Sequence, residues 1–177
     1  VEEFKSQEIA NTAWAFAVFD NSLCERGELN SALARFIIDE DQCSTDKSGT
    51  FHNQIHQWIL WHQENNRPVP VPADIVDRSL AAFRSSETVS SNFERSVGKV
   101  LAELGLEPRA QFLCPRTGYS IDFVVTCPST GTNVAIEVDG PSHFFSNARL
   151  PTGATVLKRR QLRALGWPRL VSVPFWE

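Results

Sequence analysis

The chain has no methionine, one tyrosine and four cysteines among its 177 residues. Without an initiating methionine, and with no secretory signal at its start, it reads as a processed or C-terminal piece of a longer protein whose targeting segment has already been removed. No apolar run approaches the ~20 residues that span a bilayer, so no membrane is expected as a partner. The cysteines, Cys24, Cys43, Cys114 and Cys127, show no metal-ligand spacing, and no histidines follow them at finger distances. They read as free thiols in a reducing compartment.

Acid is also missing, but only locally. From Gly140 to Trp176 there is no Asp or Glu, while Arg149, Lys158, Arg159, Arg160, Arg163 and Arg169 all fall there. The net charge of −4 argues against a protein that coats nucleic acid over its whole surface. The chain is instead polarised, acidic upstream and basic at its end.

What is present reads as α+β. Apolar content of 42% and charged content of 21% belong to an ordinary globular chain of one domain, or one domain plus a small partner. Ser6–Asn21 is a helix with apolar residues on almost every side, which requires cover from neighbours. Glu28–Ile38 carries a Leu29, Leu33, Phe36, Ile37 stripe, and Asp39–Gly49 reads as a polar loop. Thr50–His62 is a third helix with Ile55, Trp58, Ile59 and His62 on one face. The Pro-rich run Arg67–Pro72 is a stiff connector and the expected boundary. Asp74 is the expected cap of a short helix through Phe83, and a Ser-rich turn ends near Ser91. These features divide the chain into a helical segment at 1–66, a connector with a short helix at 67–90, and a domain at 91–177.

In the domain, Ser91–Leu104 is an amphipathic helix with Phe93, Val97, Val100, Leu101 and Leu104 on one stripe. Ser91 and Glu94 match a capping box, and Gly105 ends the helix. Strands follow at Gln111–Cys114, Tyr119–Val125 and Val134–Asp139. Thr155–Leu165 is a basic helix ended by Gly166, and Leu170–Val173 is a last strand.

The stretch Val134–Phe145 carries the chemistry. It is a buried strand bearing Glu137 and Asp139, broken by Gly140-Pro141 and followed by His143. Buried carboxylates are costly unless paired, hydrogen-bonded or bound to metal. Pairing Val125 with Val134 would set Asp122 opposite Glu137, with Asp139 one step along, so that three carboxylates converge within ~5–7 Å. Such a cluster suits Mg²⁺, which could activate water for phosphodiester attack. The alternative places Asp122 and Glu137 on a solvated edge, with Asp139 capping the turn. His143 is either a base or a packed turn residue. On the basic helix, Arg159, Arg160 and Arg163 lie opposite Leu157, Leu162 and Leu165, either as phosphate contacts or as a solvated face. Lys158 falls on the apolar arc, so it should point toward the sheet, either reaching the sheet end near Asp139 or forming a plain ion pair with Glu137 or Asp139.

Residues Ser91–Glu177 resemble the RAP domain. The resemblance rests on Ile121-Asp-Phe123, Ile136-Glu-Val-Asp-Gly-Pro-Ser-His-Phe144, Leu157-Lys-Arg-Arg-Gln-Leu162, Leu165-Gly-Trp167 and Val171-Ser-Val-Pro174. That family is similar to PD-(D/E)XK, restriction-endonuclease-like domains of the very-short-patch-repair branch, with an αβββαβ order. The resemblance implies acidic site positions at Asp122 and Glu137, with Glu94 on the first helix. Asp139 stands where the nuclease lysine is usual, and Lys158 would have to substitute for it. Glu8–Ala17 looks like the short helical repeats that precede RAP domains in organellar proteins.

The resemblance implies an organellar RNA-binding module acting in RNA processing, stability or ribosomal RNA assembly, in mitochondria or alternatively plastids. Arg149, Arg159, Arg160 and Arg163 would contact RNA, with His143, Phe144 and Trp167 stacking on bases; the alternative is that Phe144 and Trp167 are core residues. A second reading is a Mg²⁺-dependent endoribonuclease with Asp122, Glu137 and Asp139 as ligands, assisted by Lys158 or His143. A third is a structural subunit among mitochondrial ribosomal proteins. The departure at Asp139 favours holding RNA over cutting it, and whether the protein is an enzyme stays open.

Overall fold

A computed structural model describes residues 5–19, 27–43, 49–85 and 90–177. Cys24, part of the expected loop after Ile38 and part of the Ser-rich turn lie outside the described residues. The chain divides into two units, Val1–Ser86 and Glu87–Glu177. The division cuts through the expected 67–90 connector, so that the Pro-rich run and the helix after it belong to the first unit.

The first unit holds four helices: α1 (Ser6–Phe19), α2 (Gly27–Cys43), α3 (Thr50–Glu64) and α4 (Ala73–Arg84). α1 packs against α2 and α3, and α3 also packs against α4. The helix buried all round is α3: Phe51, Ile55, His56, Trp58, Ile59, Leu60, Trp61 and His62 are all buried. α1, expected to need cover on every side, buries only Ile9, Ala10, Ala13 and Ala17, and Phe19 stays largely exposed. Small alanines at helical spacing let a neighbouring helix approach closely, and that approach decides which side is covered. Counting large apolar residues had assigned the two helices each other's roles. His62 sits edge-on to Trp58 and Trp61. Burial there, reinforced by Arg67, lowers its pKa to about 4, so the ring is neutral.

Two local expectations change. α2 runs on through Asp39–Cys43, where a loop was expected. α4 is capped at Pro72 without a side-chain bond, and Asp74 lies inside its first turn, where a carboxylate still favours the helix dipole.

The second unit holds α5 (Asn92–Glu103), β1 (Arg109–Leu113), β2 (Ser120–Thr126), β3 (Asn133–Asp139), α6 (Gly153–Ala164) and β4 (Leu170–Pro174). The order is αβββαβ, and the sheet order is β1-β2-β3-β4. The first three strands are antiparallel neighbours, and β4 returns through α6 to lie parallel to β3. Val125 pairs with Val134, as the hairpin reading required. One face of the sheet presents Phe123, Val125, Ile136 and Val138 to Phe93, Val97 and Leu101 of α5. Val100 and Leu104, expected on the same stripe, are exposed. Gly98 is a close-approach position, because a Cβ there would meet Phe123 Cζ at 2.8 Å.

Ser91 caps α5 with a full capping box: its hydroxyl accepts from Glu94 N at 3.0 Å, and the Glu94 carboxylate returns to Ser91 N. Ser91→Ala should therefore cost the second unit about 1 kcal/mol. Urea unfolding followed by circular dichroism would measure it, and an unchanged midpoint would contradict the cap.

Candidate functional site

Beyond the Phe123–Ile136 pair the ladder between β2 and β3 changes character. Asp122 accepts a hydrogen bond from Val138 N–H at 2.7 Å, so a side-chain carboxylate takes the place of a main-chain carbonyl. Burial raises its pKa, while the Val138 bond and Lys158 oppose the rise. On β1, Gln111 has a left-handed backbone, φ 47°. This conformation is uncommon for a residue with a Cβ and needs surrounding contacts to hold it. Those contacts are present: its amide donates to Glu94 and accepts from the Ser120 hydroxyl at 2.9 Å. Glu94, implied as a first-helix site carboxylate, is thus buried as a cap and a partner of Gln111.

Glu137 and Asp139 follow alternation onto the face covered by α6. Glu137 is 3% exposed and lies 2.5 Å from the Lys158 ammonium. Burial drives its pKa up to about 7, with Lys158 pulling against that and Asp122 adding to it. Its second oxygen, Oε1, is buried without a hydrogen-bond partner. Lys158 therefore points to the sheet, as its place on the helix wheel implied.

Asp139 is the better-satisfied acid. Oδ2 accepts from Arg159 Nη2 at 2.5 Å and from Ser172 Oγ at 2.5 Å. Oδ1 lies 3.2 Å from His143 Nδ1. Burial alone would raise its pKa, but the bonds from His143, Ser172 and Arg159 outweigh burial and hold it below the usual carboxylate value. The same contact raises His143, whose side chain is 42% exposed. Thr155 closes the group, its hydroxyl donating to the His143 carbonyl at 3.1 Å.

The expected metal site does not form from these residues. Among the described residues no group of three His, Cys, Asp or Glu side chains is placed to hold an ion. Mg²⁺ needs several oxygens around one point. Here the Lys158 ammonium, the Arg159 guanidinium and the Val138 N–H each take a different carboxylate. The three acids lie in one region, but each is engaged by a different partner, Glu137 and Asp139 by a cation and Asp122 by a backbone N–H.

Arg159 is the second correction. The helix wheel set it on the outer arc with Arg160 and Arg163, yet its side chain is only 16% exposed and points to Asp139 and Ser172. Arg163 is exposed and donates to the Leu170 carbonyl at 3.4 Å, Arg160 is half-buried, and with Val156, Arg159 and Ala164 they line an open hollow of about 590 Å³. Arg149 lies over the Trp176 ring at 5.1 Å.

The residues expected to stack are already engaged. Phe144 is buried against Phe175 and Trp176. Trp167 meets Phe112 edge-on and donates to Cys114 Sγ at 3.4 Å. Sequence reasoning missed Ser172 and the buried Tyr119–Gln161 bond of 2.8 Å. Gln161 did leave a signal, since it lies on the wheel between Leu157 and Leu165.

At the tip of the β2–β3 hairpin, hydrogen bonds from Ser129 and Thr130 lower the Cys127 thiol to about 6. Peptide-resolved alkylation should show Cys127 reacting with a midpoint near that pH. The buried Cys114 should react slowly throughout, and equal rates for the two would contradict this.

The RAP domain family matches residues 136–177. A curated relative, a chloroplastic RAP domain-containing protein of Oryza sativa subsp. japonica, is 36% identical over 182 residues. The alignment covers 98% of this chain and 27% of the relative, so the chain spans about a quarter of that protein's length. No solved structure matches the chain. The matched span opens within β3, runs through the Asp139–His143 turn and α6, and ends beyond β4, so this part of the chain is what matches the RAP domain family.

Proposed function

We propose that the chain is an RNA-binding module of a plastid protein, holding single-stranded RNA through the outward face of α6. The carrying observation is the hollow lined by Arg160 and Arg163, in a stretch of sequence free of acid from residue 140 to 176. Lys158 and Arg159 pair with Glu137 and Asp139, so the inward cations engage the buried acids while Arg160 and Arg163 lie in the acid-free stretch. Phosphate contacts of this kind position a strand without reading its sequence.

The RAP resemblance supports an RNA partner and a role in RNA processing or stability. The relative's chloroplastic name favours the plastid alternative over the mitochondrial one, and with it the mitochondrial ribosomal reading loses its footing. The four-helix first unit would then be the end of a helical-repeat array, and the αβββαβ unit a relative of the restriction-endonuclease-like fold. Its carboxylates do not form an ion cage, which favours holding RNA over cutting it.

The test is binding of the purified chain to labelled single-stranded RNA across salt. Two arginine–phosphate contacts predict that log K falls against log salt with a slope of at least about −1.4. Salt-independent binding, or none, would contradict the proposal.

A further inference from the structure

We infer that the corner formed by Phe175, Trp176 and Arg149 is a stacking site for an unpaired nucleobase, so that the module prefers single-stranded RNA to duplex. This rests on the RNA-binding reading and adds to it a contact that phosphates alone do not supply.

The corner is built by the sheet. Parallel pairing sets Asp139 beside Pro174, and Phe175 N then donates to Asp139 O at 3.0 Å, so the chain turns just past the end of β3. The two rings that follow stand nearly perpendicular, 77° apart with centroids 5.0 Å from each other. Both rest on Phe144, which is 8% exposed and forms the floor. Phe175 remains 45% exposed. Such a corner offers a fixed ring face and a fixed edge at little conformational cost, because its floor is already packed.

The charge fits the same occupant. Arg149 lies over Trp176, within the range of a cation–π contact. The Asp139 carboxylate is itself buried and paired, and Glu177 is the acid that follows the corner in sequence. An apolar surface with the Arg149 cation against it suits a flat base with an attached phosphate. A duplex hides its base faces in the stack and can offer only its backbone. Base–aromatic stacking is sequence-tolerant, so the site would not demand a particular base.

The experiment uses the full chain and two RNA probes, a labelled single strand and the duplex of the same sequence. Phe175→Leu with Trp176→Leu keeps apolar packing on Phe144 and removes the aromatic faces, and the thermal midpoint reports whether the fold survives. The expected result is a loss of single-strand affinity of about tenfold or more, with an unchanged salt slope and unchanged duplex affinity. Phe175→Tyr with Trp176→Phe should restore single-strand binding. Single-strand affinity equal to wild type, or an equal loss on both probes, overturns the stacking site while leaving RNA binding by α6 intact. A wild-type chain that binds neither probe overturns both readings.

Discussion

Replacing Lys158 with methionine should destabilise the C-terminal unit little up to about pH 7 and increasingly above it, toward the ~3–5 kcal/mol that removing one partner from a buried ion pair costs. Glu137 would stay buried with neither oxygen compensated, since Oε1 already lacks a partner and Oε2 would lose its ammonium. The deficit should depend on pH, and the sign is fixed. In the wild type the folded pKa of Glu137 is raised from 4.5 to about 7. Its contribution to stability is therefore fully present below the unfolded value and is lost as pH rises through about 7. The local slope is at most ~1.4 kcal/mol per pH unit. Without Lys158 the folded value rises further and the loss continues to higher pH. Unfolding of wild type and variant at several pH values should show a gap that is small in acid and widens with pH. A gap independent of pH would mean that Glu137 is not the group left exposed to the cost.

Reversing both outer arginines, Arg160→Glu with Arg163→Glu, should weaken single-stranded RNA binding by about a hundredfold or more. The change removes two phosphate contacts and sets like charges against the strand. The ion pairs to Glu137 and Asp139 stay intact, because neither residue takes part in them, and thermal unfolding reports what loss of the Arg163 bond to the Leu170 carbonyl costs. Arg159→Glu is expected to behave differently. It would set a carboxylate against the buried Asp139 and lower stability before RNA binding is tested. Binding and thermal unfolding measured on both variants would separate the two classes of arginine.

That separation marks where the sequence stopped being legible. The order of elements along the chain, the Val125–Val134 register and the inward lysine followed from alternation and helical periodicity, because each rests on near neighbours in the chain. Arg159 did not. It lies four residues after Thr155, about 40° away on a helix of ~100° per residue. Thr155 is buried, so the covered arc of α6 extends past its leucines to the arginine's side. A wheel that counts only apolar residues cuts that arc short. The reversed burial of α1 and α3 has a similar origin, since alanine spacing decided the contact and large side chains did not. The Phe175–Trp176 corner depends on β4 returning parallel to β3 from 30 residues downstream, which no local pattern reveals. The burial of Glu137 and Asp139 was legible from the apolar strand that carries them. Which partner offsets each of them is a matter of three-dimensional geometry.

The central claim is that α6 holds RNA by its outward arginines while the inward cations serve the fold. The most direct test is the salt dependence of single-stranded RNA affinity in wild type and in Arg160→Gln with Arg163→Gln. Two lost phosphate contacts predict a slope shallower by about 1.4, with thermal stability unchanged. An identical slope in the two proteins would contradict the claim.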